Sequence, residues 1–192
     1  GAVTAGDFSA AIAELEAVRQ DPLVQADPKL LAMANDSLRM AHVLYGNQLL
    51  DRGQLDESYA QFGAALGLAP NDPQATDGQK RVVLTKNYGI MEATWGKDDE
   101  RAIQALEENM LLDPAFRDTR QKLYALLIAK ADRLLGNGDR DGAFPVLMRA
   151  IEVVPDAPEA RQRLATYTPT PTPPPPPPTP VPYVPPPPRP QP

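Results

Sequence analysis

One short pattern recurs four times before the chain changes character, and it leaves few folds open. A glycine is followed five or six places on by a small residue, and four places after that by a large apolar one. The copies run Gly6, Ala11, Leu15; Gly53, Ser58, Phe62; Gly96, Ala102, Leu106; and Gly138, Ala143, Leu147. Three of them close on a proline, at Pro70, Pro114 and Pro155. The spacing has a packing logic. The glycine ends one helix and lets the chain turn, and the small residue lets the next helix approach a neighbour closely. The large residue fills the space beside that contact, and the proline stops the helix so that another can start.

Between the turns the apolar residues recur at helical spacing. Phe8, Ile12, Leu15 and Val18 mark a helix over residues 7–20. After the pairs Asp21-Pro22 and Asp27-Pro28, a second spans 28–52, with Leu30, Leu31, Met33, Leu38, Val43, Leu44, Leu49 and Leu50 on its apolar side. Leu55 to Leu68 gives a third, and residues 73–95 a fourth, weakened near Asp77-Gly78. Four more come after these: one through Leu111, one to Leu135, one carrying Ala143 to Val154, and a short one over 158–165. Eight helices and no strand pattern make the chain all-α.

The repeat resembles the tetratricopeptide repeat (TPR) family over residues 6–165. The resemblance rests on Tyr45, Gly46, Gly53, Ser58, Phe62, Ala65 and Pro70, then on Gly138, Ala143, Leu147, Ala150 and Pro155. It implies a helix–turn–helix solenoid of about three repeats with a half-repeat at each end. Two departures stand out. Asn109 replaces a late alanine, and the closing prolines lie 44 and 41 residues apart where the family period is about 34. The surplus is expected in or just before the first helix of each repeat. Family members that clamp a peptide do so from first helices, and Asn47, Lys86 and Asn87 are the matching candidates here. Val43, Ala125 and Ala129 occupy places where the clamp's basic residues would be expected.

The ends are the informative part. The first copy is a second helix with no first helix before it, and PEARQRLA at 158–165 looks like a first helix with no second after it. Complementary half-repeats at opposite ends predict head-to-tail stacking of copies, a heterologous contact that builds open helical polymers or rings. The contact residues expected from this are Phe8, Ile12 and Leu15 at one end, and Leu147, Ile151 and Leu164 at the other.

A second region, 166–192, is of a different physical kind. Of the chain's 24 prolines, 16 stand at or after Pro169. With few backbone donors and few apolar side chains it cannot build a core, and polyproline II is its natural state. From Pro169 onward such a segment reaches about 75 Å, long enough to become ordered along neighbouring subunits. Thr166, Thr168, Thr170, Thr172 and Thr179 flank its prolines, the composition of O-glycosylated surface stalks. Position 1 is Gly rather than Met, a start that removal of a secretory signal would leave.

Chemistry is sparse. The chain has no cysteine and one histidine, and His42 has no second base or nucleophile tied to it, so packing is its expected role. Asn137, Asp139, Asp141 and Gly142 imitate the opening of a calcium loop, but Met148 stands where the closing acidic ligand belongs. No phosphate loop, zinc pattern or nucleophile elbow occurs. A net charge of -6 argues against nucleic acid, whose phosphates need a basic face. No apolar run reaches the ~18 residues of a spanning helix. The sequence therefore predicts a non-enzymatic structural protein without cofactor or metal, self-associating into an extracellular or cell-surface filament or tube with an ordered, glycan-bearing tail. The alternative is a monomeric adaptor that binds a peptide in its groove and uses the tail as a spacer.

Overall fold

The computed structural model describes residues 8–166, all of whose regular structure is helical. Among them nine helices run in order: α1 (Phe8–Gln20), α2 (Pro22–Ala26), α3 (Pro28–Asp51), α4 (Leu55–Leu68), α5 (Pro73–Thr94), α6 (Asp99–Leu112), α7 (Thr119–Gly136), α8 (Arg140–Val153) and α9 (Pro158–Ala165). Each packs on its neighbours in sequence, so α3–α4, α5–α6 and α7–α8 form three helical pairs, with α1 before them and α9 after.

The helix the sequence did not predict is α2. Two Asp-Pro pairs stand six residues apart, and each aspartate caps the helix immediately after it. The Leu23 N–H donates to Asp21 Oδ1 at 2.8 Å, and the Lys29 N–H to Asp27 Oδ1 at 2.8 Å. Proline at the first helical position needs no hydrogen bond from its nitrogen, so two consecutive starts leave a five-residue helix between them.

The turns form as the pattern requires. Gly53, Gly96 and Gly138 take φ of 74°, 74° and 81°, the left-handed conformation that ends a helix at least cost to glycine. Asp72, Asp98 and Asp139 then cap α5, α6 and α8 through the backbone N–H groups of Ala75, Arg101 and Gly142. The surplus length of the repeat lies in or just before the first helices, as expected. α3, α5 and α7 have 24, 22 and 18 residues, and residues 113–118 stand just before α7, whereas α4, α6 and α8 have 14 each.

Phe62 organises the first pair. It is fully buried, and its ring is wedged between two glycines, Gly46 on α3 and Gly78 on α5. A Cβ on Gly78 would lie 2.3 Å from the ring, and one on Gly46 would lie 2.8 Å from it. Gly78, which reads in sequence as a weak point in a helix, is where that helix approaches an aromatic ring. Ser58 is the small residue of this copy, and its hydroxyl donates to the Gly46 carbonyl at 2.7 Å. Leu106 and Leu147 take the place of Phe62 in α6 and α8 and are 0% and 1% exposed. Asn109, at the alanine position, is fully buried and donates through Nδ2 to the Leu84 carbonyl at 2.9 Å; among the described residues its Oδ1 has no hydrogen-bond partner.

Successive first helices are tied by polar contacts. The Arg39 guanidinium on α3 bonds Asp72, the cap of α5. Tyr88 on α5 donates its phenol to Asp118, which precedes α7. Tyr124 on α7 donates to Glu159 of α9 at 2.8 Å and accepts from the Ala160 N–H at 3.3 Å.

The Tyr88–Asp118 contact makes stability pH-dependent at the alkaline end. Burial of Tyr88, aided by its bond to Asp118, pushes its pKa up to about 12, against about 10 unfolded. A raised pKa favours the protonated fold, so this stabilisation is complete below pH ~10 and is lost as pH rises toward about 12. Chemical denaturation from pH 9 to 12 is expected to show a steeper loss of stability in the natural chain than in Tyr88→Phe. Equal slopes would remove the assignment.

Candidate interaction surfaces

The predicted contact at the α1 end is open. Ala11 of α1 is buried against the rest of the chain, but Phe8, Ile12 and Leu15 are only half-buried. Leu15 stands where Phe62, Leu106 and Leu147 stand in the other second helices, all of them 0–1% exposed. Val18 stands where Ala65, Asn109 and Ala150 are fully buried, and it is 49% exposed. The reason is topological. α4, α6 and α8 each have a first helix before them and another after; among the described residues α1 has only the one after, α3.

A cleft of about 440 Å³ lies between α1 and α3, lined by Phe8, Ala11, Leu15, Met40, Ala41 and Leu44, with Asp36 and Ser37 at its edge. Met40 and Leu44 are 38% and 42% exposed, and Leu30 and Met33 are 45% and 59% exposed. Leu30, Met33 and Leu44 belong to the expected apolar side of this helix, but no described residue covers them fully.

At the other end one of the expected contact residues is sealed. Leu147 lies in the main core with Leu123, Leu126, Leu127 and Ala160, because α9 already covers it. It is 1% exposed in the single chain. Ile151 and Leu164 are half-buried against the same core. α9 turns Ala160 inward and leaves Arg161, Gln162 and Ala165 exposed. Beside it a cleft of about 220 Å³ is lined by Leu135, Arg140, Ala143, Phe144, Leu147, Arg163 and Thr166, and Met148 of α8 is 42% exposed. Arg163 bonds Asp132 of α7 at 2.6 and 2.8 Å and holds that carboxylate below its ordinary range.

The predicted peptide-groove residues stand on α3 and α5. The Asn47 side chain accepts from Arg81 of α5 at 3.1 Å, Lys86 pairs with Asp56 of α4, and Asn87 is buried and donates to Glu108 of α6 at 3.1 Å. Each is thus engaged within the chain, and Asn47 is tied to α5, the helix that carries Lys86 and Asn87. His42 is buried with Nδ1 2.8 Å from Gln61 Oε1, a packing position between α3 and α4. Asp139 is engaged as the cap of α8. Thr166 donates its hydroxyl to the Arg163 carbonyl at 2.7 Å. Thr168, Thr170, Thr172 and Thr179, with the predicted polyproline II segment, lie outside the described residues.

An aromatic patch that the sequence did not single out lies between α5 and α7. Trp95, the C-terminal cap of α5, is 40% exposed. Lys122 Nζ sits 5.3 Å from its ring and 5.6 Å from that of Tyr88. The Arg117 guanidinium lies 4.6 Å over Tyr88 and 5.2 Å over Phe116. Arg117 has φ of 48°, the only positive value on a non-glycine residue among those described. Backbone strain of this kind costs of order 1–3 kcal/mol, and here it accompanies a side chain held over two rings.

Among the described residues no helix is long and apolar enough to cross a membrane, and no group of three or more His, Asp or Glu side chains is placed to hold a metal ion. No protein-family model and no curated protein matches the chain.

Proposed function

We propose that this protein is a non-enzymatic assembly subunit of the tetratricopeptide kind, whose copies stack head to tail, α9 of one copy lying in the α1–α3 cleft of the next. The observation that carries this reading is the exposure of Val18 and the partial exposure of Leu15, at positions that are sealed in every interior second helix. A first helix in the cleft would complete α1 as α3 completes α4. Among the described residues no helix follows α9 to pack on it as its second, so the same contact would complete both ends.

Charge favours the match. Glu14 of α1 stands where Gln61 stands in α4, and Gln61 reaches His42 of its own first helix. The exposed Arg161 near the start of α9 is a cation that a contact between the two ends could set against the exposed Glu14. Because the two surfaces are different, the contact does not close on itself. It propagates as a filament, or as a ring if the rotation closes. In this reading the assembly is extracellular and its Thr-Pro region carries glycans, on Thr168, Thr170, Thr172 and Thr179 in preference to Thr166, whose hydroxyl is already engaged. The adaptor alternative has less support, since Asn47, Lys86 and Asn87 are each already bonded within the chain.

Sedimentation velocity of the natural chain and of Val18→Asp tests the proposal. Val18 is half-exposed in the single chain, so a carboxylate there leaves the fold intact, which circular dichroism verifies. In the contact it would be buried without a partner, at a cost of several kcal/mol, or at least about a hundredfold in association at 1.4 kcal/mol per tenfold. The expected result is a fast, concentration-dependent boundary for the natural chain and a single slow one for the variant. Identical slow boundaries for both would reject the assembly.

A further inference from the structure

The face of α7 formed by Lys122, Ala125, Ala129 and Asp132 is a continuous track. Those positions are spaced three, four and three residues apart, so they lie in one row. At its far end Arg163 of α9 grips Asp132. Along the middle runs a cleft of about 570 Å³ lined by Tyr124, Ala125, Ile128, Ala129, Glu159 and Arg163. Ala125 and Ala129 are exposed, and their small side chains let another backbone come close. At the near end lies the patch of Trp95, Lys122 and Arg117.

We infer that this track and its aromatic end bind the proline-rich segment of the same chain, with Pro173–Pro178 placed on Trp95. Chemistry and length select this occupant. Six consecutive prolines offer carbonyl acceptors and no backbone donors. A surface that recognises them needs flat apolar faces for the rings and donors for the carbonyls, and that is how aromatic grooves bind polyproline II. The Trp95 indole, Lys122 and Arg117 supply donors only. The track is also the right length. From Asp132 to Lys122 is ten residues of α7, about 15 Å. Thr166 follows Arg163 by three residues at the Asp132 end. The six-proline run begins seven residues after Thr166, or about 22 Å of polyproline II. A chain turning back from α9 along α7 therefore brings that run to Trp95. The row of small residues at Ala125 and Ala129, where clamp lysines are absent, is what such a strand needs.

The inference is independent of the assembly proposed above and is tested on the full chain. Trp95 is the single tryptophan, so its fluorescence reports on the patch alone. Acrylamide quenching is compared in the natural chain, in Pro174→Asp with Pro176→Asp, and in Ala129→Arg, across a dilution series and in the presence of Val18→Asp. A tethered segment acts at millimolar effective concentration, so both disruptions are expected to raise the quenching constant at least about twofold, at every dilution and with or without Val18→Asp. Equal quenching in all three chains overturns the inference. Protection that disappears on dilution overturns the same-chain assignment and gives the site to the segment of a second copy. Loss of assembly with protection retained leaves this inference standing and counts only against the head-to-tail reading.

Discussion

Truncating Phe62 to alanine is expected to cost about 4 kcal/mol, near the middle of the range for a buried phenylalanine. The ring is fully buried in a cluster with Val43, Ala65, Ala75 and Val82, and it also lies directly against two backbones, at Gly46 of α3 and Gly78 of α5. Side chains can rotate into a vacated space, but helix backbones must move as units. The cavity therefore collapses poorly, and the cavity term stays close to its full value of about 24 cal/mol per Å³. Urea unfolding checks this: the midpoint should fall sharply, and the loss should appear first in probes on α3, α4 and α5, since stability in a sequential array is carried by neighbouring interfaces. A loss below about 1 kcal/mol, the typical cost of an ordinary substitution, would contradict the wedge.

The second large effect is expected at Gly78. Alanine there gains about 1 kcal/mol of helix propensity, so on an exposed helix face the change would stabilise. Here the new Cβ would sit 2.3 Å from the Phe62 ring, and the ring cannot withdraw because a Cβ-sized space toward Gly46 does not exist either. Overpacking of this kind costs about 1–3 kcal/mol, and with both sides of the ring blocked the upper part of that range applies. The net result should be destabilisation by roughly 1–2 kcal/mol, the difference of the two terms. In a Phe62→Leu chain the same Gly78→Ala change should turn neutral or stabilising. A double-mutant cycle reads this sign reversal directly. Additive effects would show that the two residues do not share the contact.

These two residues also mark how far the fold was legible in the sequence. Phe62 stands out there because a large residue four places after a small one is a packing signal within one helix. Gly78 does not, since its reason lies on another helix, and a glycine inside a helical pattern reads as a weakness until the ring beside it is known. Capping is legible at Asp21 and Asp27, but the pattern does not announce the separate short helix that two caps six residues apart create. The extra length of the repeats is correctly assigned to the first helices or just before them, because the turn glycines and closing prolines fix where the second helices begin and end.

The candidate surfaces divide in the same way. The open face of α1 comes from counting helices, since a second helix without a first must expose residues that the others bury. The burial of Leu147 does not follow from the same count, because its helix alone does not reveal that Ala160 of α9 joins its cluster. The Trp95 patch is hidden entirely. Its members, Tyr88, Trp95, Phe116, Arg117 and Lys122, are spread over two helices and a loop, and no spacing in the sequence joins them.

The central claim is that two different ends meet. A mixing measurement tests it most directly. A Val18→Asp copy has a disabled α1 end and an intact α9 end, so in a head-to-tail polymer it can join only at one terminus and stops growth there. Filament length is measured by negative-stain microscopy as Val18→Asp is added to the natural chain at fixed total concentration. The account predicts that mean length falls steadily with the fraction of variant, with short filaments well before the variant is in the majority. Mean length that does not depend on the variant fraction, or neither filaments nor rings from the natural chain at any concentration, would contradict it.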